Sequence, residues 1–214
     1  MADTLIFPDT QTLIDVKTLV QRARAINDDG IRIQAAGNVV ALWVGLLHGP
    51  LGSGVPTMIG MRALPLAQPL QVDQVVALQS LTDRFARLDE TATELPIPPT
   101  EVEAPWAGIS PPRSGWQQVA ETTVLRLREV AAEIVHTMAT TLPETPGQAV
   151  VNSLRNRVWA EQVELAGIHL AKGAAFAAES LGFLTGSVDA PARILQSGAW
   201  QRITCPHGHI LVKS

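Results

Sequence analysis

The chain has a single cysteine, Cys205, no tyrosine, and only nine Phe and Trp residues. One cysteine excludes an intrachain disulfide, which suits a reducing compartment. Few aromatics mean that Val, Leu, Ile and Ala must build the core. Apolar residues make up 46% of the chain, which excludes global disorder. No stretch of about 18 residues is both uncharged and strongly apolar, so no membrane span is expected. The most apolar window, Leu165 to Leu184, is broken by His169, Lys172 and Glu179. The N-terminus has no basic n-region followed by an apolar run, so it does not read as a signal peptide. The expected location is cytoplasmic, with no membrane partner.

A positive excess is also missing. The formal net charge is −4. Up to Trp116 there are 8 basic and 12 acidic residues, and after it 8 and 8. Neither half has the basic surplus of a nucleic-acid binder, so a nucleic-acid partner is not expected.

Proline is concentrated instead. Six of the fifteen prolines fall between Glu94 and Trp116. Proline fixes φ, removes a donor and pushes the preceding residue out of the α region, so no helix or central strand is expected there. Residues 1–90 then read as an α+β sheet region and 91–116 as a proline-rich strap. Residues 117–214 read as a helical region closed by a hairpin, packed with the rest as one composite domain. The fold class expected is α+β: a small antiparallel sheet with two helices, a crossover, and a mainly helical second half ending in a β-hairpin.

In the first region Asp9 or Thr10 can cap a helix in which Leu13, Val16, Val20 and Ala23 recur every three or four residues. Asp28-Asp29-Gly30 stops it. Ile31 to Gln34 alternates as a strand, and Gly37-Asn38 reads as a hairpin turn into the apolar run Val39–Leu47. Thr57 to Ala63 reads as a further strand ended by Pro65 and Pro69. Asp73 can cap a second helix reaching Leu88. In the second region heptad-like spacing predicts a helix over Gln117–Leu142, a second over Gln148–Ala171 and a third over Gly173–Leu184. A short helix is expected over Ser187–Gly198, then a hairpin over Trp200–Lys213. The seam of the two long helices suits a homodimer interface.

Signals for chemistry are few. The loop His48–Gly54 holds three glycines after a buried strand, so His48, Gly52, Gly54 and Arg62 could line a small-ligand site. Yet no phosphate-loop or dinucleotide motif is present, and the segment after the loop reads as a strand. Cys205, His207 and His209 are zinc-type ligands, but C-x-H-x-H places all three on one tight turn without a fourth ligand nearby. No metal or cofactor is expected. The same crowding makes Cys205 a poor nucleophile. The element order of the last third is also that of a winged helix, with Arg155, Arg157, Arg193 and Arg202 as its cations, few for a DNA reader.

Without a catalytic constellation, the leading expectation is a non-catalytic cytoplasmic binding or scaffold protein, homodimeric through its long helices and open to a protein partner. The alternatives are a regulator with a degenerate winged helix, and a small hydrolase or transferase using the His48 loop.

Overall fold

The computed structural model describes residues 3–49, 53–143, 145 and 147–213. The fold is α+β, and the chain forms two compact units: Met1–Gly45 with Met61–Ile109, and Leu46–Gly60 with Ser110–Ser214.

The first unit opens with strand β1 (Thr4–Ile6) and helix α1 (Thr10–Ile26). Asp9 caps α1, its carboxylate accepting from the Thr12 amide at 2.7 Å and the Thr12 hydroxyl at 2.8 Å. These donors hold the Asp9 carboxyl below its ordinary range. The expected stripe of Leu13, Val16, Leu19, Val20 and Ala23 is buried. Each such side chain contributes roughly 1.5–3 kcal/mol of burial. Helix α2 (Leu78–Phe85) packs against α1 and buries Leu78, Leu81 and Phe85. It is shorter than the sequence pattern suggests, because residues as far as Val76 are strand. Strand β4 (Glu94–Pro96) pairs antiparallel with β1.

Two long strands, β2 (Ile31–Leu47) and β3 (Thr57–Val76), pass from one unit to the other. Gly37-Asn38 is not a hairpin turn; β2 runs straight through it. The buried positions shift there from odd (Ile31, Ile33, Ala35) to even (Val40, Leu42, Val44). Such a shift of parity needs one extra residue, and Gly37 supplies it at φ +65°. Pro65 and Pro69 likewise do not end β3. Both are exposed, and their spacing of four puts them at the same ladder parity.

The proline-rich residues Glu94–Ile109 belong to the first unit. A 3-10 turn at Pro105–Gly108 buries Trp106, which is 2% exposed, against Gly45. Arg32 anchors this turn. Its Nε and Nη2 donate to Asp73 at 2.6 and 2.7 Å, and its Nη1 donates to the Ala107 carbonyl at 3.1 Å. Asp73 raises the Arg32 pKa further above its ordinary value.

The second unit contains strands β5 (Gln117–Thr123), β6 (Gln162–Leu165), β7 (Ile168–Ala171), β8 (Pro191–Ser197), β9 (Trp200–Cys205) and β10 (Gly208–Lys213). Its helices are α3 (Val124–Thr141), α4 (Gln148–Ala160) and α5 (Gly173–Ser180). The large sheet has the order β2-β3-β10-β9-β8-β5. The predicted C-terminal hairpin is present as β9 and β10. Three other expectations are corrected. Residues 117–123 form an edge strand paired with β8, and the helix begins only at Val124, capped by Thr123. Residues 162–171 form a hairpin, turned at Ala166 (φ 52°) and Gly167 (φ 81°), the positive pair of a two-residue turn. Residues 191–197 form a strand held between β5 and β9, so there is no recognition helix and no winged helix.

The heptad-like face of α3 (Leu127, Val130, Ala131, Ile134) is buried within the chain, where α3 packs on the small-residue helix α5. It is therefore not available as a dimer seam.

Candidate functional site

Charge is partitioned by secondary structure. The five α-helices carry eight Lys and Arg against five Asp and Glu. The rest of the sequence carries eight against fifteen, so the net charge of −4 joins a basic helix set to an acidic remainder.

In the first unit, α1 bears Lys17, Arg22 and Arg24. Lys17 is exposed and Arg22 half-buried, and neither has an ion pair among the described residues. Arg24 lies 3.6 Å from Asp28. In the second unit, Arg126 meets Glu129 at 2.9 Å, and Arg128 meets Glu179 at 3.2 Å and the Leu184 carbonyl at 2.8 Å. On α4, Arg155 stacks over Trp159 at 5.7 Å, whereas Arg157 is exposed and has no ion pair among the described residues. Exposed pairs of this kind are worth about 0–1 kcal/mol, so their cations exchange readily onto a stronger anion.

His48 is exposed, and its Nδ1 lies 3.3 Å from the Thr57 hydroxyl. Gly54 takes φ +73°, and Gly52 lies outside the described residues. Arg62 is ion-paired with Asp15.

The Cys-His turn does not gather ligands. In the β9–β10 register Cys205 pairs with Gly208 and His209 with Thr204, which sends Cys205 and His209 to opposite faces of the sheet. No group of three or more metal-type side chains occurs among the described residues. Burial pushes the Cys205 thiol up to about 12, far from a reactive thiolate. On the other face, burial and then the Arg202 charge bring His209 down to about 4. Arg202 itself is held below its ordinary value by burial and stacks over Trp116 at 4.5 Å. Arg193 is exposed and only 3.9 Å from Glu121.

His209 gives a pH dependence. Its folded pKa of about 4 lies below the ordinary 6.5, so between these values the unfolded chain binds the extra proton. The contribution is fully present above pH 6.5 and is lost as pH falls toward 4. It amounts to about 3 kcal/mol at most. Urea titrations at pH 7.5 and 4.5 are expected to show this loss in the native chain and a smaller one in His209→Gln. An equal loss in both would remove His209 as the cause.

The sequence analysis missed the surplus of cations on the helices, Lys17 and Arg22 among them. The signal was the count of charges on helices against the remainder, which the overall net charge cancels.

A family model described as Domain of unknown function (DUF8010) matches residues 1–108, about half of the chain. The chain belongs to this family. A second model, Domain of unknown function (DUF8185), matches residues 111–214, so the DUF8010 match ends close to the boundary between the two units at Ile109 and Ser110. No curated protein matches the chain.

Solved structures do. A putative DNA polymerase III beta subunit from Eubacterium rectale ATCC 33656 matches with TM-score 0.59 and 10% identity, covering 98% of this chain. The DNA polymerase III subunit beta from Pseudomonas aeruginosa matches with TM-score 0.53 and 11% identity, covering 100%. A DNA polymerase sliding clamp from Pseudomonas aeruginosa matches with TM-score 0.53 and 10% identity, covering 99%. The chain spans 64% of the length of each.

At these identities the likeness establishes a sliding-clamp-like fold. It overturns the scaffold, winged-helix regulator and small-hydrolase expectations. It also overturns the expectation against nucleic acid and the long-helix homodimer, since those rested on net charge and on a helix seam that is buried inside the chain. No helix among the described residues is long and apolar enough to cross a membrane.

Proposed function

We propose that this protein is a clamp-like, DNA-associated component of the cytoplasm that meets duplex DNA through cations on its helices and works beside a DNA polymerase. The observation that carries this is the fold likeness, which covers 98–100% of the chain and takes in both units. The partition of charge supports it. A basic helix set beside an acidic remainder directs a polyanion to the helices and away from the strands and loops. The DNA polymerase is the partner class that the neighbours' own descriptions supply.

Three helix cations with neither an ion pair nor a hydrogen bond among the described residues, Lys17, Arg22 and Arg157, set the scale. Neutralising about three phosphates gives a log–log salt slope of roughly −3. Fluorescence anisotropy of a labelled 30-base-pair duplex of arbitrary sequence, between 20 and 200 mM salt, measures it. Binding that weakens along that slope and ignores base sequence is the expected result. No binding at 20 mM salt, or binding insensitive to salt, would rule the proposal out.

A further inference from the structure

The chain enters the second unit at Ser110, and residues 110–116 form neither helix nor strand. The turn before them, Pro105–Gly108, is tied through Arg32, which bonds both Asp73 and the Ala107 carbonyl. Residues 110–116 are held differently. Among the described residues, no backbone hydrogen bond joins them to the sheet. Trp116 closes the segment on itself, its Nε1 donating to the Pro112 carbonyl at 2.9 Å. The loop lies along the end of β8, where a Cβ on Gly115 would come within 3.6 Å of the Ser197 hydroxyl. The Trp116 ring stacks on Arg202 at 4.5 Å. In the strand register Arg202 stands between Leu195 of β8 and Leu211 of β10. It has no ion pair or hydrogen bond among the described residues, and its Nε is buried without an acceptor.

We propose that the Trp116–Arg202 stack is a reversible latch, which closed pins residues 110–116 to the sheet of the second unit and open frees them as additional connection between the units. An arginine bonded to a carboxylate, as Arg32 is, loses directed hydrogen bonds when its segment leaves. Arg202 has none to lose among the described residues. On opening, its guanidinium exchanges the ring for water, and the regained hydration offsets much of the lost stack. Closed and open states then differ by little, which is the condition for a two-state element. Opening frees the seven residues 110–116, about 23 Å at full extension. The β5–β8 ladder begins at Gln117, so it stays paired. This inference does not rest on DNA association.

Limited digestion with trypsin reads the latch. Arg113 is exposed within the loop and is followed by Ser114, so its peptide bond is cleavable once the segment is extended. Slow cutting at Arg113 is expected in the native chain, at a rate that barely changes with urea below the unfolding transition, as for a local opening. Trp116→Leu and Arg202→Gln are each expected to speed it at least about tenfold, with cutting elsewhere and the melting temperature little changed. The urea dependence needs only the native chain, so it decides even where a variant folds poorly. Native cutting at Arg113 only in step with global unfolding would make the stack a fixed anchor and overturn the proposal. Native cutting as fast as in a free peptide spanning residues 108–118 would leave nothing latched and overturn it too. So would unchanged rates in both variants.

Discussion

Replacing Gly45 with valine is expected to destabilise the first unit by about 3–5 kcal/mol. A Cβ at this position would meet three atoms of the Trp106 indole at 2.3–2.4 Å. Real side chains do not tolerate such distances, so either β2 or the indole must move. Trp106 has little freedom to do so. It is 2% exposed and carried on the Pro105–Gly108 turn, which Arg32 ties to Asp73 through the Ala107 carbonyl. Expelling the ring forfeits the burial of a whole indole. Urea denaturation at 25 °C measures the loss. Gly45→Ala is expected to cost about 2 kcal/mol alone and much less in a Trp106→Ala background, because the obstacle is then gone. If the two costs simply add, contact between Gly45 and Trp106 is not what the glycine serves.

The second large effect concerns DNA. Reversing Lys17, Arg22 and Arg157 together to glutamate is expected to weaken duplex binding at 50 mM salt by about 100-fold or more. The salt slope should flatten by about three, since each cation that leaves a phosphate lowers it by about one. The control reverses two cations off the helices, Arg193 and Lys213, which lie on β8 and β10 and are exposed. Reversing them changes the net charge but leaves the helix set intact, so less than about threefold loss is expected. Comparable losses in both variants would mean that overall charge, not its placement on helices, governs binding.

Much of the local structure was legible. Asp9 followed by Leu13, Val16, Val20 and Ala23 marks α1, because a cap and a 3.6-residue period are local signals. The alternation of Trp200, Ile203 and Cys205 against Ile210 and Val212 marks the closing hairpin. The misread segments share a cause. Pro191–Ser197 contains Ala, Arg, Leu and Gln, all good helix formers, yet β5 and β9 flank it and pairing on both sides overrides propensity. Gln117–Thr123 continues the apolar period of α3 backwards, and only pairing with β8 makes it a strand. Pro65 and Pro69 stop a strand in general, yet both lie inside β3 at exposed positions four residues apart.

The fold and the proposed interface were less legible for a further reason. The sheet order β2-β3-β10-β9-β8-β5 joins segments more than a hundred residues apart, and no short motif records that. The zinc-type trio of Cys205, His207 and His209 looked like a cluster in sequence, and strand alternation disperses it. The helix cations were hidden by summation, because fifteen carboxylates elsewhere outweigh them in the net charge.

The chain supplies its own probe of where DNA binds. It has three lysines: Lys17 on α1, Lys172 just before α5, and Lys213 on β10. Lys172 is held by Glu161 at 3.1 Å, whereas Lys17 and Lys213 are exposed. The most direct measurement is the acetylation rate of each lysine by a water-soluble amine reagent, read by mass spectrometry with and without saturating duplex DNA. DNA is expected to slow acetylation of Lys17 several-fold and leave Lys213 unchanged. Equal protection of both lysines, or protection of Lys213 alone, would contradict a duplex held by the helices.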